Sequence, residues 1–333
     1  MEPVVAGARP TLAFNACQAR LLEFVAHVPR ARVAGVAGSG KTVLALEHAR
    51  RLAARGRRTL LLGGGRNHAA WLREAIGLPN PSSPHVDCFL GLCRSAAETG
   101  GARFEVPAEP AAREEFLEWG ASELLLEHAR AAGARFDAIV VDGGQDFLPD
   151  WWDALEGCLV GGGSLHVFYD EAQDVYGARG MGALESLPRF DLRRCVRGGG
   201  VPRTTVEVLP DARDRRRAVE AVAARWLGSL GIAPRDAAIL APWSRSGTCL
   251  AGATTLAGVP LVRSLRHWRA GGGLLVTTIR AFRGLEAEAI AMIDLPTSGA
   301  SVAFGPADLH VGRSRARREL HVVAAAAGAG VTA

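Results

Sequence analysis

Lysine is almost absent from this chain. Of its 39 Lys and Arg residues, 38 are Arg and a single one, Lys41, is Lys. The two serve equally well on a solvated surface, but not where a compact ammonium on a thin stem is needed. Position 41 is therefore marked as a site that wants a point charge. Cysteine is also scarce. The six present (Cys17, Cys88, Cys93, Cys158, Cys195 and Cys249) form no CxxC pair and no His/Cys cluster. That pattern excludes a disulfide framework and a cysteine-based metal centre, and it fits reduced thiols in a cytoplasmic protein. No apolar run reaches the roughly 18 residues of a membrane span. The opening MEPVVAGARP has no basic stretch followed by an apolar one, so no secretory leader is expected.

What is present is a long alternation of two patterns. Short apolar runs at 32–36, 59–62, 138–141 and 165–169 read as strands, with helical stretches such as 42–55 and 116–132 between them. After about residue 190 the pattern restarts: 205–209, a helix over 213–227, then 237–240, 274–279, 289–293 and 319–324. Near-continuous apolar strands alternating with helices imply parallel sheets covered on both faces. With 333 residues, 48% of them hydrophobic, the chain is long enough for two such α/β domains, expected at 1–190 and 191–333. The basic, Gly-rich RRCVRGGGVP lies at the join. A formal net charge of +5 fits a polyanionic partner without requiring one. The charge run of RDRRRAVEAVAARW reads as a solvated helix face, and the tail AAAAGAGVTA as a fraying end.

The sole lysine lies in GVAGSGKT, between an apolar strand and a helix. This is the spacing G-x-x-x-x-G-K-T, a P-loop. Gly35, Gly38 and Gly40 let the backbone wrap a phosphate, with Ser39 in the turn, so that amide N–H groups point inward. The helix N-terminus adds its positive end. Lys41 is placed to reach the β- and γ-phosphates, and the Thr42 hydroxyl to ligate Mg²⁺. A second strand, in FDAIVVDGGQDFLPDWW, ends at Asp142, which can meet the same metal. The expected cofactors are ATP and Mg²⁺.

Taken in order, these segments resemble UvrD/Rep-type superfamily 1 DNA helicases in a compact form. NACQARLLEF resembles the adenine-reading Q motif, with Gln18 as reader. GVAGSGKT is motif I, RTLLLGGGRNHAAWLRE resembles motif Ia, and VDCFLGLC the TFH segment. VVDGGQDF stands where the family has DExQD. VFYDEAQDVYGARG resembles motif III, with Asp170 and Gln173 in the D-x-x-Q spacing. TTIRAFRGLEAEAI is close to motif V and supplies Glu286. LHVGRSRARRELHVV resembles motif VI, with Arg315 at its centre. The resemblance implies two tandem RecA-like domains with ATP between them. Asp142, Gln173 and Arg315 would then be catalytic, and Arg197 would be a second γ-phosphate contact.

The departures from that family pattern are specific. Gly143 replaces the catalytic glutamate, a loss of about 10²–10⁴-fold for a positioned base. Asp146 and Glu171 are the carboxylates nearest in sequence. Gly64 and Ala178 stand where the family carries aromatic platforms, each worth about 1–3 kcal/mol per stacked base. Cys88 and Leu90 replace the TFH threonine and histidine, and Arg280 and Arg283 replace the His and Lys of motif V. Trp71, Trp151 and Trp152 read as core residues. There is room for only short insertions, so processive unwinding by this chain alone is not expected.

The sequence therefore points to a helicase-like ATP-binding protein with reduced hydrolysis. It would contact single-stranded DNA weakly, act as a monomer or in a transient assembly, and possess room for a protein partner. The alternative is a non-hydrolysing, ATP-gated binding module. A small-molecule P-loop kinase has no use for the second sheet. On sequence alone, Gly143→Glu is expected to raise phosphate release.

Overall fold

The most apolar runs of the chain become the central strands of two sheets. TLLLG and AAILA are buried along their whole length, as strands covered on both faces must be. The computed structural model describes residues 14–77, 80–133, 135–173, 181–192, 202–244, 247–295 and 304–325.

The first half runs α1 (Ala16–His27), β1 (Arg30–Gly35), α2 (Lys41–Ala54), β2 (Thr59–Gly63), α3 (Arg66–Ile76) and β3 (His85–Cys88). It continues through α4 (Phe89–Thr99), α5 (Pro110–Glu115), α6 (Ala121–Ala132), β4 (Phe136–Asp142), α7 (Pro149–Gly157), β5 (Leu159–Tyr169) and β6 (Arg189–Leu192). Among the described residues its strands form a six-stranded sheet in the order β3-β2-β4-β5-β1-β6, every pair parallel. The second half runs β7 (Arg203–Leu209), α8 (Ala212–Leu227), β8 (Ala237–Ala241), β9 (Thr255–Leu256) and β10 (Val259–Val262). It ends with α9 (Leu265–Arg269), β11 (Leu274–Thr278), β12 (Ala287–Ile293), α10 (Pro306–Ser314) and β13 (Ala316–Ala325). Its sheet has the order β7-β13-β12-β8-β11-β10-β9, parallel except for the β9–β10 edge.

Strand period two divides each sheet's side chains between two cores. In the first, Leu60, Leu62, Ile139 and Val141 face Phe89, Leu125, Trp152 and Leu155. Their neighbours Leu61, Ala138 and Val140 face Leu22, Leu44 and Leu72 on the other side. In the second, Ile239, Val276 and Ala291 face Val222 and Trp226, while Leu240, Leu275 and Met292 face Trp268 and Phe282.

Most expected elements are present, and four short strands (β3, β6, β9 and β10) add to them. The expected division at 190/191 falls within β6. The 116–132 helix is one wide π turn, Phe116–Gly120, followed by α6. Trp152 is a core residue, 1% exposed. Trp151 stacks on Phe89 at 4.1 Å and donates Nε1 to the Leu117 carbonyl at 2.9 Å. Trp71 does something different: it packs against the cores of both halves at once. Ala178 and Arg197 lie outside the described residues.

The two sheets meet head to tail. Residues at or just past the ends of the strands of the first (Gly64, Asp142, Asp170) share a cleft with residues that precede the strands of the second (Asp236, Glu286, Arg315). This places every catalytic candidate of the described sequence at one seam.

Candidate functional site

The P-loop leaves β1 and turns through two left-handed glycines, Gly38 at φ 75° and Gly40 at φ 89°, before α2 begins at Lys41. Lys41 Nζ donates to the carbonyls of Gly35 at 2.6 Å and Val36 at 2.9 Å, and to Asp170 Oδ2 at 3.2 Å. All three of its protons are thus used inside the loop. Burial lowers the Lys41 pKa, with the Asp170 carboxylate opposing that shift.

Gln18, the expected reader of a base, has its side-chain amide engaged within the chain. Its Oε1 accepts from the Asn15 amide at 3.1 Å, its own amide donates to Asn15 Oδ1 at 2.9 Å, and its Nε2 donates to the Ser39 carbonyl at 3.1 Å. It closes a capping box on α1 and braces the P-loop from outside the cleft.

Strand order brings the rest together. β5 lies between β1 and β4, so Asp170, following β5, stands between the P-loop and Asp142. Gln173 Nε2 donates to Asp170 Oδ2 at 2.8 Å, and Arg315 from the second half donates Nη2 to Gln173 Oε1. A buried relay therefore runs Lys41–Asp170–Gln173–Arg315, with both Gln173 and Arg315 under 8% exposed. Asp170 was visible in sequence only as a spacing partner of Gln173; here it is the link between the two.

Asp142 is 3% exposed. Its Oδ2 lies 3.0 Å from His68 Nε2, but the two are misaligned and neither atom completes a hydrogen bond. An orphaned, buried carboxylate oxygen fits a cation, and Mg²⁺ characteristically takes one or two carboxylates together with phosphate oxygens. Thr42 and Asp142 both line the cavity and could hold it.

The seam is closed by contacts that sequence reading missed. Arg283 pairs with Asp146 across it, both side chains buried. Burial pushes the Arg283 pKa down to about 10. Asn67 Nδ2 donates to the Ala281 carbonyl at 2.9 Å. Gly143 has φ 95°, and a Cβ there would sit 3.4 Å from Gly64 Cα. A Cβ on Gly64 would lie 2.7 Å from Asp146 Oδ2. The two glycines that replace a glutamate and an aromatic are therefore one local feature: together they make room for the Asp146–Arg283 pair. Glu286 lines the cavity and accepts from Arg317 Nε at 2.9 Å. Glu171 pairs with Arg189 in the first half and Arg280 with Asp308 in the second, and neither Glu171 nor Arg280 lines the cavity. The cavity lined by Lys41, Thr42, Asp142, Gln173, Arg283 and Arg315 is about 320 Å³.

No family model matches the chain, and no curated protein does. Solved structures do. Saccharomyces cerevisiae Dbp5 bound to RNA and ADP–BeF₃ is similar over 94% of this chain and 84% of that one, with a TM-score of 0.61 at 14% identity. A single-residue variant of Dbp5 in the same bound state gives 0.60 at 14%, over 93% and 83%. The variant with Nup159, Gle1, IP6 and ADP gives 0.52 at 12%, over 94% and 84%. The fold is that of a tandem RecA-like helicase. Dbp5 is a DEAD-box protein of superfamily 2, so this likeness supports a helicase-like fold and not the superfamily 1 assignment expected from the motifs. In the helicase fold a cleft between two such domains is where the catalytic candidates of this chain converge.

Proposed function

We propose that this chain is a helicase-like, ATP-binding protein that acts weakly on single-stranded nucleic acid and hydrolyses ATP slowly. One observation carries the reading: Lys41, Thr42 and Asp142 from one half and Arg315 from the other line a single cavity of about 320 Å³. Two domains that each supply part of a phosphate site close when it fills. In this reading a triphosphate takes Lys41 Nζ from the Gly35 and Val36 carbonyls, and Arg315 stabilises charge at the γ-phosphate. Mg²⁺, when bound, neutralises charge on the phosphates and orients them. The order of motifs GVAGSGKT, TTIRAFRGLE and SRARRELHVV favours superfamily 1 kinship, with DNA as the strand. The polyanion-facing half is the second: residues 193–333 hold 20 of the 39 basic residues and only 10 of the 34 acidic ones. A cytoplasmic location, a monomeric or transiently assembled state and a protein partner belong to the same proposal, as does the division at 190/191.

Slow turnover rests on Gly143. Its left-handed backbone, φ 95°, is a conformation that a glutamate side chain adopts only at a cost. The same observation favours the second reading, an ATP-gated module that closes without cleaving. The deciding experiment measures ATP binding and phosphate release, with and without single-stranded DNA, on the native protein and on Lys41→Ala. Tight binding lost in Lys41→Ala, with a low native rate, is the expected result. A DNA-stimulated rate of several per second would overturn slow turnover, and no detectable binding would overturn the whole reading. Binding with no release at all selects the gated module.

A further inference from the structure

His68 sits on the first turn of α3 and carries a buried Nε2 with no hydrogen-bond partner. Its other nitrogen settles where the proton is. The Gly64 amide N–H, which can only donate, points at His68 Nδ1 at 3.3 Å. Nδ1 is therefore an acceptor, and the ring proton is on Nε2. A histidine held this way is a donor and not a base. It cannot stand in for the missing glutamate, because abstracting a water proton needs a lone pair on Nε2. The donor lines the same cavity as Lys41, Thr42 and Asp142. The opposite side of its ring is covered by the second half: a Cβ on Gly284 would lie 2.6 Å from both Cδ2 and Nδ1 of His68. The ring thus fills the space between the orphaned Asp142 oxygen and the backbone of the segment after β11.

We propose that His68 is a γ-phosphate sensor: its Nε2–H donates to an oxygen of the terminal phosphate, and its ring, wedged against Gly284, passes that contact to the second domain. This deepens the nucleotide reading above and rests on it. The ligand is the Mg²⁺ complex of a nucleoside triphosphate, as opposed to the diphosphate. His68 is a positioning residue, and no bond is made or broken at it. The His68 donor and the Asp142 acceptor lie 3.0 Å apart without a hydrogen bond between them, a pairing that an anionic oxygen beside a cation would satisfy.

The test is calorimetric titration with Mg²⁺, using ADP and a non-hydrolysable ATP analogue, on the native protein, His68→Leu, His68→Asn, His68→Gln and Lys41→Ala. A hydrogen bond to a charged group is expected to account for roughly tenfold in affinity or more. His68→Leu and His68→Asn should lose that factor for the triphosphate analogue and keep native affinity for ADP. His68→Gln, whose amide N–H reaches about as far as Nε2–H, should keep both. Gly284→Ala, which pushes the ring aside, should behave as His68→Leu does. An unchanged triphosphate-to-diphosphate ratio in both His68→Leu and His68→Asn overturns the inference, as does an equal loss for both nucleotides. If the native protein binds neither nucleotide, the underlying reading fails and takes this inference with it. If the native protein binds both and Lys41→Ala neither, that reading stands and the His68 variants alone decide the sensor.

Discussion

His48 on the P-loop helix and His166 on β5 meet Nε2 to Nδ1 at 2.9 Å, and His166 Nε2 donates to the Val28 carbonyl at 2.7 Å. Burial pushes both pKa values down, His48 to about 3 and His166 to about 4. In the unfolded chain each titrates near 6.5. Below that value the unfolded state takes up protons that the native state refuses, so the stability from the uncharged pair is complete above pH 6.5 and is lost as pH falls toward 4. Two such groups give a slope of about 2.7 kcal/mol per pH unit. Thermal midpoints recorded between pH 7.5 and 5 should therefore fall steeply below 6.5, and a flat profile would contradict the buried pair. Gly143 is the other position where a single residue decides the outcome. Gly143→Glu should fail to raise phosphate release and should lower stability by about 1–2 kcal/mol, the cost of a side chain in the left-handed region. A faster, equally stable variant would show that the loop relaxes. The sequence alone suggested the opposite, because a missing side chain is legible in a motif and a backbone angle is not.

Between elements, the Asp146–Arg283 pair joins the loop after β4 to the loop after β11. Removing one member of a buried pair strands the other charge and typically costs about 3–5 kcal/mol. Asp146→Ala should open the seam, seen as a larger radius of gyration in small-angle scattering and a lower thermal midpoint. Asp146→Ala combined with Arg283→Leu should recover much of the loss, and strict additivity of the two changes would argue against a direct pair. This contact links residues 137 apart in sequence, which is why no local pattern announced it. Motif Ia and motif V were read from their own residues, but the packing of His68 on Gly284 belongs to neither stretch alone. Local signals did suffice where the chemistry is local. The P-loop, Asp142 and the long apolar strands are where their residue types put them. Short edge strands such as β3 and β9 carry too few residues for a periodic pattern to form.

For the whole molecule, charge is divided unevenly. Exposed arginines occur in both halves, but those of the second, among them Arg213, Arg216, Arg217, Arg263 and Arg266, stand among far fewer acidic residues. Single-stranded binding that depends on such groups releases counterions, with a log–log salt slope of about −0.7 per phosphate neutralised. Affinity for a labelled oligonucleotide should therefore fall steeply between 50 and 200 mM salt (a range set by the roughly 10 Å screening length near 0.1 M). Salt-independent binding would point instead to stacking, for which few exposed aromatics exist in the described residues. The two-domain plan was legible because the strand–helix rhythm repeats after a break. The head-to-tail docking of the sheets was not, since it depends on side chains from both halves meeting in three dimensions.

Trp71 wedges one indole into the cores of both halves. Any motion that parts the sheets must pull that ring from oil into water. The protein therefore carries a built-in optical gauge of its own gape: its emission reddens as the jaws open and blues as they shut, with no label attached.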